Sequence, residues 1–364
     1  MEIFQYNRIQ LKKEIEKESF FRGERIPISK HRAISHINNP RANDEDILLI
    51  IAKEDSSLVG YIGVIPDYTY SGEERIKFGW ISCWWIDENQ RKSGIGAKLL
   101  LKLLKEYKFR ICGVNFSPEA EKVFIATKMF NTLTKIENRN YIIRLDLLDL
   151  LKRKSYYVTY LKLPLKALDI FINSLYSIKR LNIRKKLTTK YEVIDRVDDK
   201  SYNFIRKYQP KNQFLRREKD ELNWIISYPW IIERGEKNNE DLKYYFSSSS
   251  KQFKYKLLNI YDYNNELIGV TLLKLRDFNM SVPFSVYKPK SETIIAKTII
   301  KESILNSIKI VTISDSKIKD EISNGLDISI KSWDRSKPIY YSKMIGIDKN
   351  RYSFQDGDGD SIFT

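Results

Sequence analysis

The sequence predicts an α/β protein built as two similar halves, and three observations predict it. Between residues 76 and 107, a run of β-branched and aromatic residues passes through a glycine-containing loop into an apolar stripe at helical spacing (Gly96, Leu100, Leu103, Leu104 and Tyr107). That pattern reads as strand, tight loop, helix. In the second half, apolar runs at 257–262 and 267–273, joined by Tyr263-Asn264-Asn265-Glu266, echo the runs at 47–52 and 58–65. At 364 residues the chain also exceeds the usual single-domain size, so each half is long enough to bury its own core.

The loop carries the chemistry. In Trp84-Trp85-Ile86-Asp87-Glu88-Asn89-Gln90-Arg91-Lys92-Ser93-Gly94-Ile95-Gly96-Ala97, two glycines remove side chains where backbone must approach a partner closely. The helix start behind them presents unpaired N–H groups and the positive end of its dipole. Such a turn cradles phosphate, and Arg91 and Lys92 add charge suited to a pyrophosphate. A packing turn is the competing reading for a bare G-x-G, and the longer match decides against it.

Arg91-Lys92-Ser93-Gly94-Ile95-Gly96 fits R/Q-x-x-G-x-G/A, the signature of the GNAT acyltransferase superfamily, and Trp84-Trp85-Ile86-Asp87 resembles that family's apolar lead-in. The resemblance implies an α+β / α/β fold in which each half is a mixed, mostly antiparallel sheet flanked by helices. It implies acyl-coenzyme A, expected as acetyl-coenzyme A, with pantetheine along Trp84, Trp85 and Ile86. The pyrophosphate would be wrapped by Arg91, Lys92, Ser93, Gly94, Ile95, Gly96 and Ala97. Asn115 is similar to the family's polar residue at the end of the next strand, where it would bond pantetheine; an ordinary helix-start residue is the alternative.

In chain order, residues 1–21 read as a helix around Ile9, Leu11, Ile15 and Phe20, and Ser29 as the cap of a second helix holding His31 and His36. Runs at 46–53 and 58–66 form a hairpin, 109–116 a strand, and Ser117-Pro118 opens another helix. Residues 131–145 add the closing strand or strands. This order is that of a GNAT domain over 1–148. Residues 149–190 form a basic linker: the stripe Leu161, Leu165, Leu168, Phe171, Ile172 and Leu175 is followed by Arg180, Arg184, Lys185 and Lys186. The favoured reading is an interdomain helix packed on both lobes, and the alternative is an amphipathic helix on an anionic membrane surface. Residues 191–364 read as a degenerate GNAT-like lobe, because the counterpart of the loop, at 287–292, has no glycine. The acidic tail Asp356-Gly357-Asp358-Gly359-Asp360 is read as flexible or substrate-facing rather than as a calcium loop, since it lacks the closing bidentate Glu; no metal is expected.

A net charge of +17 and a pI near 9.4 point to an anionic partner. No run of about 18 apolar residues spans a bilayer and the N-terminus is unlike a signal peptide, so a cytoplasmic protein is expected. Cys83 and Cys112 read as buried thiols. For a general base the sequence offers His31 and His36, then Asp67, Glu73 and Glu74. The tyrosine that often serves as acid in the family is replaced by Ile125. The expected function is an acyl-coenzyme A dependent N-acyltransferase acting on an anionic small-molecule or sugar-linked acceptor, such as an amino sugar or another cell-envelope or polysaccharide precursor. The alternatives are a noncatalytic protein that binds coenzyme A or an anionic polymer, and a two-lobed aminoacyl-tRNA dependent transferase. Nucleic acid is not expected as a partner.

Overall fold

The computed structural model describes residues 1–91, 93–152, 156–185, 187–348 and 351–364. The first half lays down β1 (Glu2–Asn7), α1 (Arg8–Ile15), α2 (Lys30–Ile37), β2 (Ile47–Glu54), β3 (Ser57–Ser71), β4 (Glu74–Ile86), α3 (Ile95–Glu106), β5 (Ile111–Val114), α4 (Pro118–Ala126) and β6 (Phe130–Ile142). Helices α5 (Leu147–Lys152) and α6 (Lys162–Arg184) follow. The second half repeats the order: β7 (Lys190–Ile194), α7 (Asp199–Tyr208), α8 (Lys219–Ser227), a short ribbon of β8 (Ile232–Glu233) and β9 (Ser249–Ser250) around α9 (Asn239–Lys243), and then β10 (Phe253–Tyr261), β11 (Leu267–Arg276) and β12 (Asn279–Tyr287). It ends with α10 (Glu292–Leu305), β13 (Ile310–Ile313), α11 (Ser316–Glu321) and β14 (Lys331–Ser342).

Twelve strands form one sheet in the order β1-β2-β3-β4-β5-β14-β6-β13-β12-β11-β10-β7. All pairs are antiparallel except β4 with β5 and β12 with β13. The halves exchange strands. β14 pairs with β5 of the first half, β6 pairs with β13 of the second, and β6 and β14 pair with each other along the middle. The proposed division at residues 148 and 190 therefore describes the order of elements, while the sheet itself is shared.

The opening segment differs from expectation. Asn7 and Gln10 form a capping box, with Gln10 N donating to Asn7 Oδ1 at 2.8 Å and Asn7 N to Gln10 Oε1 at 3.0 Å, which starts the helix only at Arg8. Residues 2–7 instead pair with the edge of β2. A pairing to residues 47–53 is invisible to local periodicity.

Helix α3 lays Leu99, Leu100, Leu103 and Leu104 on one face of the first half, and α1 and α2 cover the other with Leu11, Ala33 and Ile37. A central cluster joins the halves through Phe78 and Trp80 of β4, Phe214, Trp224 and Trp230, and Ile362 and Phe363 of the tail. Helix α6 departs from its favoured reading: Leu168, Phe171 and Leu175 of its stripe face solvent. Lys186 of the basic cluster lies outside the described residues.

The same irregularity occurs in both halves. β4 carries one extra residue opposite β3, at Ser82, where the register moves from Gly63↔Cys83 to Val64↔Ile81. β12 carries one extra residue opposite β11, where Leu272 faces Phe284 and Lys274 faces Ser281. In each case the inner part of the strand pairs in parallel with its neighbour for three residues and the outer part then leaves it. In the second half the tail fills the gap: Gly357 N donates to the Pro283 carbonyl at 2.9 Å and Ser285 N to Gln355 Oε1 at 2.8 Å.

The tail is therefore packed rather than flexible. A Cβ on Gly357 would stand 2.5 Å from the Pro283 oxygen, a contact that backbone cannot relieve cheaply. Gly357→Ala is expected to destabilise the fold by about 2 kcal/mol, the scale of overpacking, read as a lower urea midpoint. An unchanged midpoint would show that the tail docks without this contact.

Candidate active site

In the first half the gap stays open. Pairing of β4 with β5 ends at Ile81↔Gly113, and beyond it a cleft of about 640 Å³ runs between residues 82–86 and 114–117 to the start of α3. Gly63 permits the bulge that opens it, because a Cβ there would meet Cys83 Sγ at 2.6 Å and Ser82 Oγ at 3.0 Å. At the far end Gly94 occupies the left-handed region (φ 81°) as the N-cap of α3; Ile95 N donates to Ser93 Oγ at 3.4 Å, and Gly94 offers no side chain to cap the N–H groups that follow.

The expected donor-site residues divide. Trp84, Trp85, Ile86, Arg91, Gly94, Gly96, Ala97 and Asn115 line the cleft. Lys92 lies outside the described residues. Ser93 Oγ donates to the Gln90 carbonyl at 2.7 Å, so its hydroxyl shapes the loop. Ile95 is buried in the core under α3, and its N–H donates to Ser93 Oγ at 3.4 Å, so its part in the loop is structural. Arg91 is half-exposed and pairs with Glu88 at 3.1 Å, a contact weak enough in solvent to be exchanged for a phosphate. Asn115, with φ 58°, closes β5 and donates to Ser361 Oγ at 3.0 Å, so it engages the tail.

The histidines fall elsewhere. His36 is fully buried against Trp230, ring centroids 5.2 Å apart, and burial followed by the charge of Arg32 holds its pKa well below the ordinary value. His31 lies against the Trp230 carbonyl, with Nε2 2.5 Å away, and burial lowers its pKa too. Neither lines the cleft, and the reason is a long-range one, since Trp230 belongs to the other half. From α2 it is Arg32 that reaches in, stacked 3.7 Å from the Trp230 ring centroid and donating to the Ser82 carbonyl at the bulge. Asp67 is buried in an ion pair with Arg41 and accepts from Trp80 Nε1 at 3.1 Å, so it is occupied. Glu73 and Glu74 sit at the opposite end of β4, about 25 Å along the strand from Ser82, where the cleft opens. Ile125 is exposed and no part of the cleft.

A carboxylate that sequence reasoning did not select stands where the strands part. Gly359, with φ 78°, rests against Val114 Cγ1 and Trp80 Cε3 at distances of 2.7 and 3.1 Å from a virtual Cβ, so only glycine brings the tail this close. The next residue, Asp360, lines the cleft, and its Oδ1 is buried with no hydrogen-bond partner among the described residues. Burial pushes its pKa up to about 7, against the opposing charges of Arg32, Lys337 and Lys274 and the Asn115 amide. The alternating glycines of the tail were the available signal, since they mark backbone pressed against something.

Beyond Asp360 the cleft meets a second chamber of about 820 Å³, and Asn115, Arg276 and Thr364 line both. Its wall carries Arg234, Lys237, Lys251, Lys274, Arg276, Lys309, Arg335 and Lys337 against Asp149, Asp277 and Asp356. Ion pairs occupy Arg234 (Asp241, 2.8 Å), Lys309 (Asp146, 2.6 Å) and Lys337 (Asp356, 2.8 Å). Lys274 bonds the Ser361 carbonyl at 2.7 Å and the Thr364 backbone oxygen, and burial lowers its pKa to about 8. Among the described residues Lys237, Lys251, Arg276 and Arg335 have no ion-pair partner, and no group of three or more His, Cys, Asp or Glu is arranged to hold a metal.

A strand parting from its parallel neighbour above a glycine-capped helix, with this strand order, defines a GNAT-like fold, here doubled. Residues 13–122 match the model of the Acetyltransferase (GNAT) family. No curated protein matches the chain in sequence. Among solved structures, a probable N-acyltransferase from Enterococcus faecalis is similar at 11% identity and a TM-score of 0.51, over 96% of this chain and 73% of that one. A putative acetyltransferase from Pyrococcus horikoshii aligns at 11% identity and a TM-score of 0.47, over 96% and 92%. The N-myristoyltransferase of Saccharomyces cerevisiae with bound myristoyl-CoA aligns at 10% and 0.48, over 94% and 82%.

With the second gap closed by the tail, calorimetry with coenzyme A should give one site per chain. Gly94→Asp, which sets a carboxylate at the helix start where a pyrophosphate would lie, should weaken that affinity by about 100-fold or more. Two sites, or unchanged affinity in the variant, would contradict this placement.

Proposed function

We propose that the protein is an acyl-coenzyme A dependent N-acyltransferase with an anionic acceptor. The observation that carries the reading is the open fork between β4 and β5, which runs from the start of α3 to a carboxyl group with one unpartnered oxygen at its vertex. Coenzyme A lies along the free edge of residues 82–86 with its pyrophosphate on the N–H groups of α3. The inner end of the cleft, at Arg32, Ser82 and Asp360, is polar and suits a short acyl group, which we take to be acetyl.

The acceptor amine enters from the basic chamber. Asp360 in its carboxylate form takes a proton from the amine as the nitrogen attacks the thioester carbon, and backbone N–H groups of β4 that face the fork stabilise the developing oxyanion. Collapse breaks the C–S bond, and the thiolate recovers the proton from the Asp360 carboxyl. Amine and thioester become amide and thiol, with no other reactant. Holding both partners at the vertex supplies much of the acceleration, since it makes the encounter nearly unimolecular.

The groups that face Asp360 are Arg32 from α2, Lys274 from β11, Lys337 from β14 and Asn115 at the end of β5. Its base form predominates above its pKa, so kcat/KM should rise as pH increases through about 7 and then level. Asp360→Asn should lower kcat by about 100-fold or more, abolish that acid limb and leave coenzyme affinity unchanged. An acid limb that survives in the variant would remove Asp360 from the role.

The chamber's cations set the acceptor class. Amines bearing phosphate should be acylated in preference to neutral analogues, with a KM that rises with salt. Arg276→Gln should raise the KM for the phosphorylated amine by about 10-fold with coenzyme affinity unchanged, the scale of one charge-assisted contact. Equal use of neutral and anionic amines would remove the charge requirement.

A further inference from the structure

Helix α6 is amphipathic in the reverse sense of a packed helix. Asp169, Asn173 and Arg180 face the protein. Asn173 exchanges hydrogen bonds with the backbone of Leu145, both 2.9 Å. Asp169 accepts from Leu147 N at 3.0 Å, and Arg180 donates to the carbonyls of Ile143 (2.5 Å) and Asn173 (2.6 Å). The residues turned outward are Leu163, Leu168, Phe171, Leu175, Ile178 and Leu181, with exposures from 46% at Leu168 to 79% at Leu163. At 100° per residue they cover one broad side of the helix. Tyr157 and Tyr160, 78% and 80% exposed, extend that surface from the turn before it. An apolar face of this extent marks an interaction site, because leaving it in water gives up the burial that normally holds a surface helix in place.

The charge around it selects the occupant. Lys162, Lys166, Lys179 and Lys185 are exposed along the helix, and the only acid between residues 162 and 185 is the inward-facing Asp169. A second copy would bring the same lysines and another +17 of net charge against them. An anionic lipid surface offers apolar depth for the leucines, an interface for the tyrosines and opposite charge for the lysines. Among the described residues no helix is long and apolar enough to cross a membrane, so the helix lies along the surface.

We propose that α6 docks the protein on an anionic membrane surface through Leu168, Phe171, Leu175 and Ile178. The docking stands independently of the catalytic reading. Its geometry nonetheless bears on the chamber, because Asp149 of the adjoining α5 lines the chamber and Lys309 on the same wall pairs with Asp146.

Flotation of the full chain with phosphatidylcholine vesicles, with and without phosphatidylglycerol, tests the proposal. Binding is expected only with the anionic lipid, and should weaken as salt rises. The variant Phe171→Ser/Leu175→Ser/Ile178→Ser should lose binding by about 10-fold or more, as three apolar side chains no longer enter the interface. Its circular dichroism and coenzyme A affinity should match the wild type, since none of the three packs on the protein. Lys179→Glu/Lys185→Glu should weaken binding to phosphatidylglycerol as well. Failure of the wild type to bind anionic vesicles, or equal binding by the triple variant, overturns the proposal. So does a wild-type dimer that the triple variant dissolves, because the face would then belong to a second copy.

Discussion

An extra residue at Ser82 turns the outer part of β4 off its neighbour, and backbone edges that open inside a protein must be satisfied by something other than the sheet. The two halves meet that demand differently. In the first, the Ser82 carbonyl is taken by Arg32, a guanidinium buried over Trp230, and the remaining edge lines the open cleft. In the second, the corresponding edge at Pro283 and Ser285 is taken by the tail. A single sheet irregularity, repeated, thus produces one open groove and one groove filled by the tail. The loop at 287–292, without glycine, adjoins the strand whose edge the tail occupies.

The tail's three aspartates show how one short segment serves unlike electrical ends. Burial pushes Asp356 up, but Lys337, Lys274 and Asn138 outweigh it and hold the group below its ordinary value. Asp358 lies near Arg217, yet its burial prevails and its pKa rises to about 7. Asp360 reaches the same value with one oxygen unpartnered. For the last two the folded state holds protons that the unfolded chain would release near pH 4. Their contribution to stability is therefore complete below that pH and is lost as pH rises through about 7. Above pH 7 both groups are buried as carboxylates whose opposing charges do not fully offset the burial, which costs stability.

The loop-to-helix turn at 91–97 was legible because its signals are local: two glycines, a helix start and a cation lie within seven residues of one another. The two halves were legible for a similar reason, through repeated strand pairs. The rest depended on contacts distant in sequence. Residues 2–7 became a strand because β2 offered an edge, and no periodicity in Glu2-Ile3-Phe4-Gln5-Tyr6 announces that. His36 stands on a short amphipathic helix, and its burial against Trp230 is a contact with the other half that no local pattern announces. The run Asp-Gly-Asp-Gly-Asp has the composition of an exposed acidic tail, and what reverses the reading is the shape of the groove it enters. In α6 the stripe was read correctly and its direction was not, because periodicity gives the width of an apolar face but not what it meets.

The exchange of β6 and β14 gives these separate features a common mechanical frame. β14 pairs on one side with β5, whose end forms the rim of the open fork, and on the other with β6. It also supplies Lys337, whose ammonium is 2.8 Å from Asp356. The chain then returns from β14 through the tail to the filled groove, and only afterwards places Asp360 at the open one. The carboxylate at the vertex is thereby anchored by both halves at once: by Gly357 on Pro283 in the second and by Gly359 on Val114 and Trp80 in the first. Neither half alone could hold it there. The filled groove of the second half thus fixes the path by which the tail reaches the open groove of the first.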